Sequence, residues 1–210
     1  MPPMQPAEFI RGRRVSLGPI DLADIDTYVR WINDPAIRPY VNRPWPTTAH
    51  EERRRIETLV AAENAVGFAI HLRDGNRLIG RTAIWNIHRV NRSGLFTIYI
   101  GDESMRSRGL GKEATALTTL HAMEGLNLNR LELEVFAYNE RALHVYEWLG
   151  FRQEGVRREA KFHAGRYHDA IQMAILKRDW SDELRARFRS YLDGTESGAV
   201  PAPGATPKGG

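Results

Sequence analysis

The chain has 210 residues, 42% hydrophobic and 27% charged, with five Trp and no Cys; that suits one α/β domain and leaves little room for two. Without cysteine there is no disulfide framework, no thiolate zinc site and no acyl-cysteine intermediate. The formal charge is +4 and the pI about 9.6, but Arg and Glu interleave, as in Glu51-Glu52-Arg53-Arg54-Arg55, which describes a solvated helix face and not a nucleic-acid stripe.

No apolar run approaches bilayer length and no secretory h-region is present, so a soluble, cytoplasmic protein without membrane or nucleic-acid partners is expected. Residues 1–8 are Pro-rich and expected to be flexible. From Asp193 the composition turns to Gly, Pro, Ala, Ser and Thr, so 193–210 is expected to be a disordered tail and 9–192 a single domain.

Arg14-Val15-Ser16-Leu17 alternates like a strand, and Pro19 ends it. Asp21 can cap a helix whose apolar face is Leu22, Ile25, Val29 and Ile32, closing before Pro35. A loop with Pro39, Tyr40, Pro44, Trp45 and Pro46 follows, and Thr47 starts a charged helix to about Asn64. Val66–Arg73 and Arg77–His88 are strands joined by Asp74-Gly75-Asn76, a hairpin signal. After the turn Asn91-Arg92-Ser93 comes the apolar strand Leu95–Gly101. Gly109 opens a helix with Leu110, Ala114, Leu117 and His121 on one face. Arg130–Ala137 alternates as a strand, and Asn139–Leu149 is a helix turning Ala142, Val145, Tyr146 and Leu149 inward, stopped by Gly150. Strands Gln153–Lys161 and Tyr167–Leu176 flank Ala164-Gly165-Arg166, and Asp182–Leu192 forms a last helix. Hairpins mixed with crossovers imply an α/β fold with a mixed sheet covered by helices.

The chemistry begins at Arg106-Ser107-Arg108-Gly109-Leu110-Gly111-Lys112. Glycines at 109 and 111 let backbone N–H groups approach a ligand, and the helix opening there leaves N–H groups unpaired beneath a dipole that favours anions. That makes a diphosphate site. Gly-x-Gly also occurs in plain turns; Arg106 and Lys112, both able to reach phosphates, sharpen the reading. The Rossmann and P-loop patterns fail for want of a third glycine and of a Gly-Lys-Ser/Thr. Downstream stands Asn139-Glu140-Arg141-Ala142-Leu143-His144-Val145-Tyr146-Glu147-Trp148-Leu149-Gly150-Phe151.

Together the two segments resemble the GNAT superfamily of N-acetyltransferases, whose signature is Gln/Arg-x-x-Gly-x-Gly/Ala followed by Asn-x-x-Ala-x-x-x-Tyr-x-x-x-Gly-Phe. The resemblance runs from about Val15 to Leu176. It is similar to the branch of RimJ/RimL-like ribosomal-protein N-terminal acetyltransferases and spermidine acetyltransferases, down to Gly165-Arg166-Tyr167-His168-Asp169 before an apolar strand. It implies a mostly antiparallel sheet of about seven strands, helices on both faces, and a splay between the fourth and fifth strands.

It also implies acetyl-CoA as co-substrate, no metal, and a primary amine acceptor attacking directly in a ternary complex. Tyr99, Ile100 and Gly101 match the strand end that pairs with pantetheine. The backbone amides of Arg106, Ser107, Arg108, Gly109, Leu110, Gly111 and Lys112 match the pyrophosphate loop. Asn139 matches the polar group beside the pantetheine arm, and Tyr146 the acid that protonates the departing thiolate. The sequence departs from the family at Phe96, where a glutamate is common. The base therefore stays open among Glu132, Glu134, His88 and a water chain.

Trp31, Trp45 and Tyr40 are candidates to line an acceptor pocket or to pack in the core; Trp85 and Trp148 are read as packing. A peptide N-terminus, a polyamine and an amino sugar all remain compatible acceptors, though the basic segment 38–43 disfavours a polycation. A homodimer is compatible with the resemblance. The competing readings are a non-catalytic acyl-CoA-binding module or sensor, motivated by Phe96, and a nucleic-acid binder resting on the pI alone.

Overall fold

The computed structural model describes residues 7–195. The expected loose ends, 1–8 and 193–210, lie outside these residues except at positions 7–8 and 193–195. The strands are β1 (Ile10–Arg11), β2 (Val15–Gly18), β3 (Val66–Leu72), β4 (Arg77–His88), β5 (Ser93–Ile100), β6 (Arg130–Phe136), β7 (Arg152–His163) and β8 (Arg166–Leu176). They form one sheet in the order β1-β2-β3-β4-β5-β6-β8-β7. Every neighbouring pair is antiparallel except β5–β6. The eighth strand is β1, whose two residues pair with Leu17 and Ser16; two residues are too few to write an alternation into the sequence.

The helices are α1 (Ile25–Asn33), α2 (Ala49–Ala61), α3 (Leu110–Leu120), α4 (Glu140–Trp148) and α5 (Asp182–Asp193). Asp21 does cap, but it accepts from Ala23 N at 2.8 Å and closes a single 3-10 turn before α1. At α2 the cap is Thr48, one residue later than expected, in a reciprocal box with Glu51. Thr47 is occupied otherwise: its N–H and C=O bind the side chain of Asn33 at 2.9 and 2.8 Å. That amide ties the loop after α1 to the end of α1 and so fixes the wall of the cleft described below.

The sheet's two faces follow from the period of two. On β4, Thr82 meets Thr118 of α3, while Arg81 meets Glu52 of α2. On β5, Phe96 packs against Tyr146 of α4, while Tyr99 packs against Trp31 of α1. Helices α3, α4 and α5 therefore cover one face, through a core holding Leu131, Leu133, Trp148, Phe151 and Phe188. Helices α1 and α2 cover the other, through Ile25, Tyr28, Trp31, Ile37 and Ile56.

Candidate active site

β5 and β6 pair for only three residues, Ser93↔Arg130, Gly94↔Leu131 and Leu95↔Glu132. Beyond them β5 stays with β4 to Ile100, and β6 stays with β8 to Phe136. Each strand keeps its outer partner, so the facing edges splay without unravelling. A cleft of about 1270 Å³ occupies the wedge, walled by β5, β6, α4, the opening of α3 and the segment after α1. This is the splay expected between the fourth and fifth of the strands legible in the sequence.

At the mouth, Ser107 and Gly109 take positive φ, 60° and 77°. The chain thereby turns the N–H groups of residues 107–111 away from any hydrogen bond among the described residues. The first N–H to enter the helix ladder is that of Glu113, bonded to Gly109 O at 3.1 Å. A run of unpaired donors at a helix start is an oxyanion site. The loop is buttressed from behind. Buried Glu113 accepts from Arg14 N at 2.6 Å, Val15 N at 3.2 Å and Arg14 Nε at 3.0 Å, and Arg14 Nη1 donates to Arg108 O at 2.8 Å.

The two cations expected to reach phosphates are directed elsewhere. Arg106 donates to Ile100 O and Gly101 O at 3.2 and 2.9 Å, clasping the end of β5. Lys112 sets its ammonium 3.3 Å from the centre of the Trp148 ring. Leu110 is a core residue, whereas Arg106, Ser107, Gly109, Gly111 and Lys112 line the cleft. A cation that sequence reasoning missed does reach the mouth: Arg141 Nη1 donates to Ser107 Oγ at 2.7 Å. Its signal was its place two residues after the Asn139 cap, where the first turn of α4 faces the loop.

At the inner end, Tyr146 lines the wall with its ring edge-on to Phe96, at 6.2 Å, and tilted against Phe151, at 5.9 Å. Burial raises its phenol above the ordinary value. Asn139 lines the cleft and caps α4 through Ala142 N, at 3.3 Å. Tyr99 and Ile100 line the β5 side; Gly101 is packed beneath Trp31, where a Cβ would fall 2.0 Å from the indole.

Of the carboxylate and imidazole candidates, only Glu134 lines the cleft, held by Arg157 Nη1 at 2.5 Å. Glu132 is taken by Arg130 at 2.9 Å, and His88 Nδ1 accepts from Asn91 N at 3.0 Å in the β4–β5 turn.

The α1/α2 face supplies the remaining wall. Tyr40, Val41 and Arg43 line it, with Arg81, Trp85 and Tyr99. Tyr138 donates to Pro39 O, fastening this loop to the entry of α4. Trp31 belongs to the core and Trp45 is 79% exposed, so of the three aromatics expected here only Tyr40 lines the cleft. Trp85 lines it as well, contrary to its packing assignment, with its indole N–H on Thr97 Oγ1 at 3.1 Å. The Glu52–Arg81 pair, 2.9 Å apart with Glu52 fully buried, was hidden in a sequence stretch that looked solvated.

A family model described as an acetyltransferase (GNAT) domain matches residues 14–152. A Bacillus subtilis protein provisionally named a ribosomal N-acetyltransferase, YdaF, is 32% identical over 112 residues, 53% of this chain and 60% of that protein. Spermidine N(1)-acetyltransferase of Escherichia coli K12 is 33% identical over 122 residues, 58% of this chain and 64% of the relative. The chain thus spans about three fifths of the length of these curated relatives. A crystal structure of spermidine N-acetyltransferase from Vibrio cholerae in complex with CoA and spermine superposes with a TM-score of 0.73. It covers 80% of this chain and 98% of that one at 24% identity, a likeness of fold.

Proposed function

The chain belongs to the GNAT acetyltransferase family, and from that premise we propose that it moves an acetyl group from acetyl-CoA to a primary amine by direct attack in a ternary complex. The observation that carries this is the wedge itself. A donor-rich loop at its mouth and a phenol at its inner end lie on one continuous cleft between two free strand edges. The fit to CoA rests on chemistry. The unpaired N–H groups of residues 107–111 suit a diphosphate, Arg141 adds a cation there, and the free edge of β5 at Tyr99 and Ile100 suits an extended amide chain such as pantetheine.

When bound, the thioester supplies an activated acetyl group; the chain's own residues do the rest. The loop and β5 hold the sulfur end near Tyr146. An alkyl amine with a pKa near ~10 arrives as its ammonium ion and must lose a proton. Glu134, across the cleft from β5, receives it directly or through water, which makes good the missing glutamate at Phe96. Tyr146, kept protonated by burial, donates to the leaving sulfur. No acyl-enzyme is needed, in keeping with a chain that has no Cys.

On this reading 9–192 is the working domain and the protein acts in the cytoplasm; no helix among the described residues is long and apolar enough to cross a membrane. A second copy would dock along β7, an edge strand that is almost wholly exposed. The test is release of free CoA thiol from acetyl-CoA across a panel of amines. Turnover with at least one amine is expected. Tight CoA binding with no turnover on any amine overturns the proposal in favour of a non-catalytic acyl-CoA module.

A further inference from the structure

A second chamber, about 380 Å³, opens between α2 and β4. Arg43, Arg54, Arg55, Arg81, Thr58 and Trp85 line it, and Arg43, Arg81 and Trp85 line the main cleft too. The two spaces therefore adjoin across these three side chains, on the face from which an acceptor would meet the sulfur.

The charge in this chamber is unbalanced. Four guanidiniums face two carboxylates, a surplus of two positive charges. Glu52 is buried against Arg81 at 2.9 Å. Glu51 accepts from Thr48 N and Thr48 Oγ1, at 2.9 and 3.1 Å, to cap α2. Arg55 Nη1 and Tyr99 Oη are buried, and no described residue accepts a hydrogen bond from either; the two oxygens of Glu52, paired with Arg81 by charge, are buried without a hydrogen bond as well. Burial, and then the repulsion of Arg55, lower the Arg43 guanidinium from its ordinary value. Buried donors without acceptors are costly, and a planar carboxylate is the group that satisfies guanidinium forks in pairs.

We propose that this chamber receives a carboxylate carried by the acceptor, so that the substrate is an amine bearing an acid group and not a polyamine. The inference rests on the acetyltransferase reading of the cleft and names its substrate class. Arg43 and Arg55 hold the carboxylate, and Arg81, already neutralised by Glu52, orients Tyr99 beside it. A second ammonium of a polyamine would enter against uncompensated like charge.

The experiment compares matched acceptors in the CoA-release assay: straight-chain ω-amino acids against their amides, phosphoethanolamine against ethanolamine, and spermidine. In parallel, succinate, which carries no amine, is titrated calorimetrically into the full chain. An amino acid preferred over its amide by about tenfold or more in kcat/KM is expected, with measurable succinate binding. In Arg55→Gln and in Arg43→Gln that ratio collapses and succinate affinity falls, while Arg55→Lys keeps part of both; melting curves establish that each variant is folded. Equal rates for acid and amide, a preference for spermidine, or a phosphate preferred over a carboxylate would overturn the assignment. If no amine is acetylated, the acetyltransferase reading falls on its own. Succinate binding that depends on Arg55 still supports the chamber, and its absence still refutes it.

Discussion

Tyr146→Phe isolates one hydroxyl. The Tyr146 oxygen takes part in no hydrogen bond among the described residues, and the ring contacts with Phe96 and Phe151 survive in phenylalanine. Folding should therefore be indifferent, with the melting temperature within about 2 °C of wild type. Catalysis should not be. A phenol near ~10 is a weaker acid than a thiol near ~8.5, so complete proton transfer to the thiolate is uphill by roughly 2 kcal/mol. Burial raises the phenol further, which keeps the donor loaded at any assay pH but widens that gap. The hydroxyl consequently acts by hydrogen bonding to developing charge on sulfur, and its loss falls at the low end of general-acid effects, about 10²-fold in kcat. The residual rate persists because a thiolate leaves tolerably without a proton. Steady-state kinetics over pH 7–9, with acetyl-CoA KM changing less than about threefold, checks this. An unchanged kcat, or a melting temperature several degrees lower, would refute the reasoning, since the first denies the acid and the second makes the residue structural.

Three further outcomes follow from the same geometry. Glu113→Gln leaves three donors from Arg14 and Val15 facing an uncharged amide, and should cost about 3 kcal/mol in urea unfolding. Gly109→Ala puts a Cβ at φ 77°, 3.1 Å from Arg14 Nη2. The strain, about 1–2 kcal/mol, falls on the loop proposed to cradle the diphosphate, so calorimetry should show CoA affinity about tenfold weaker. His71 and His121 are both lowered by burial. The unfolded chain then binds their protons first, and stability present above about pH 6.5 is lost as the pH falls below it. Melting temperatures at pH 8 and pH 5.5 should show that drop, and His121→Phe, whose ring keeps company with Phe9 and Phe68, should lessen it.

The proposed cofactor half of the cleft was legible because the loop and strand end that would meet the ligand are backbone features, and backbone geometry leaves glycines behind. Gly109 needs its positive φ and Gly101 its missing Cβ, so their spacing is written in the sequence whatever surrounds them. Side-chain assignments fared differently. Arg106 and Lys112 are long, flexible cations for which a carbonyl pair and an indole face compete with a phosphate, and no local pattern tells which wins. Trp85 could not be told from a core residue because it lies on β4, where one face packs on α3 and the other borders the cleft. β1 was missed for its length and Thr47 for a tertiary bond to Asn33.

Glu52 explains why the acceptor side stayed hidden. In Glu51-Glu52-Arg53-Arg54-Arg55 every residue is charged, and composition alone assigns all five to water. The capping box fixes the phase of α2, however: with Thr48 as cap, Glu51 is the third helical residue, and Glu52 turns inward with Ile56 and Leu59. One carboxylate in the core then requires a cation, which β4 provides as Arg81. Once Arg81 is paired with Glu52, Arg43, Arg54 and Arg55 are left facing Glu51 alone, and that positive surplus is what the proposed acceptor carboxylate would answer. The loop proposed to bind the cofactor constrains the backbone, whereas the wall proposed to meet the acceptor is set by which charges the segment 43–55 and β4 fail to cancel. Relatives can therefore share the first and differ in the second, so a relative's spermidine activity does not carry over with the fold.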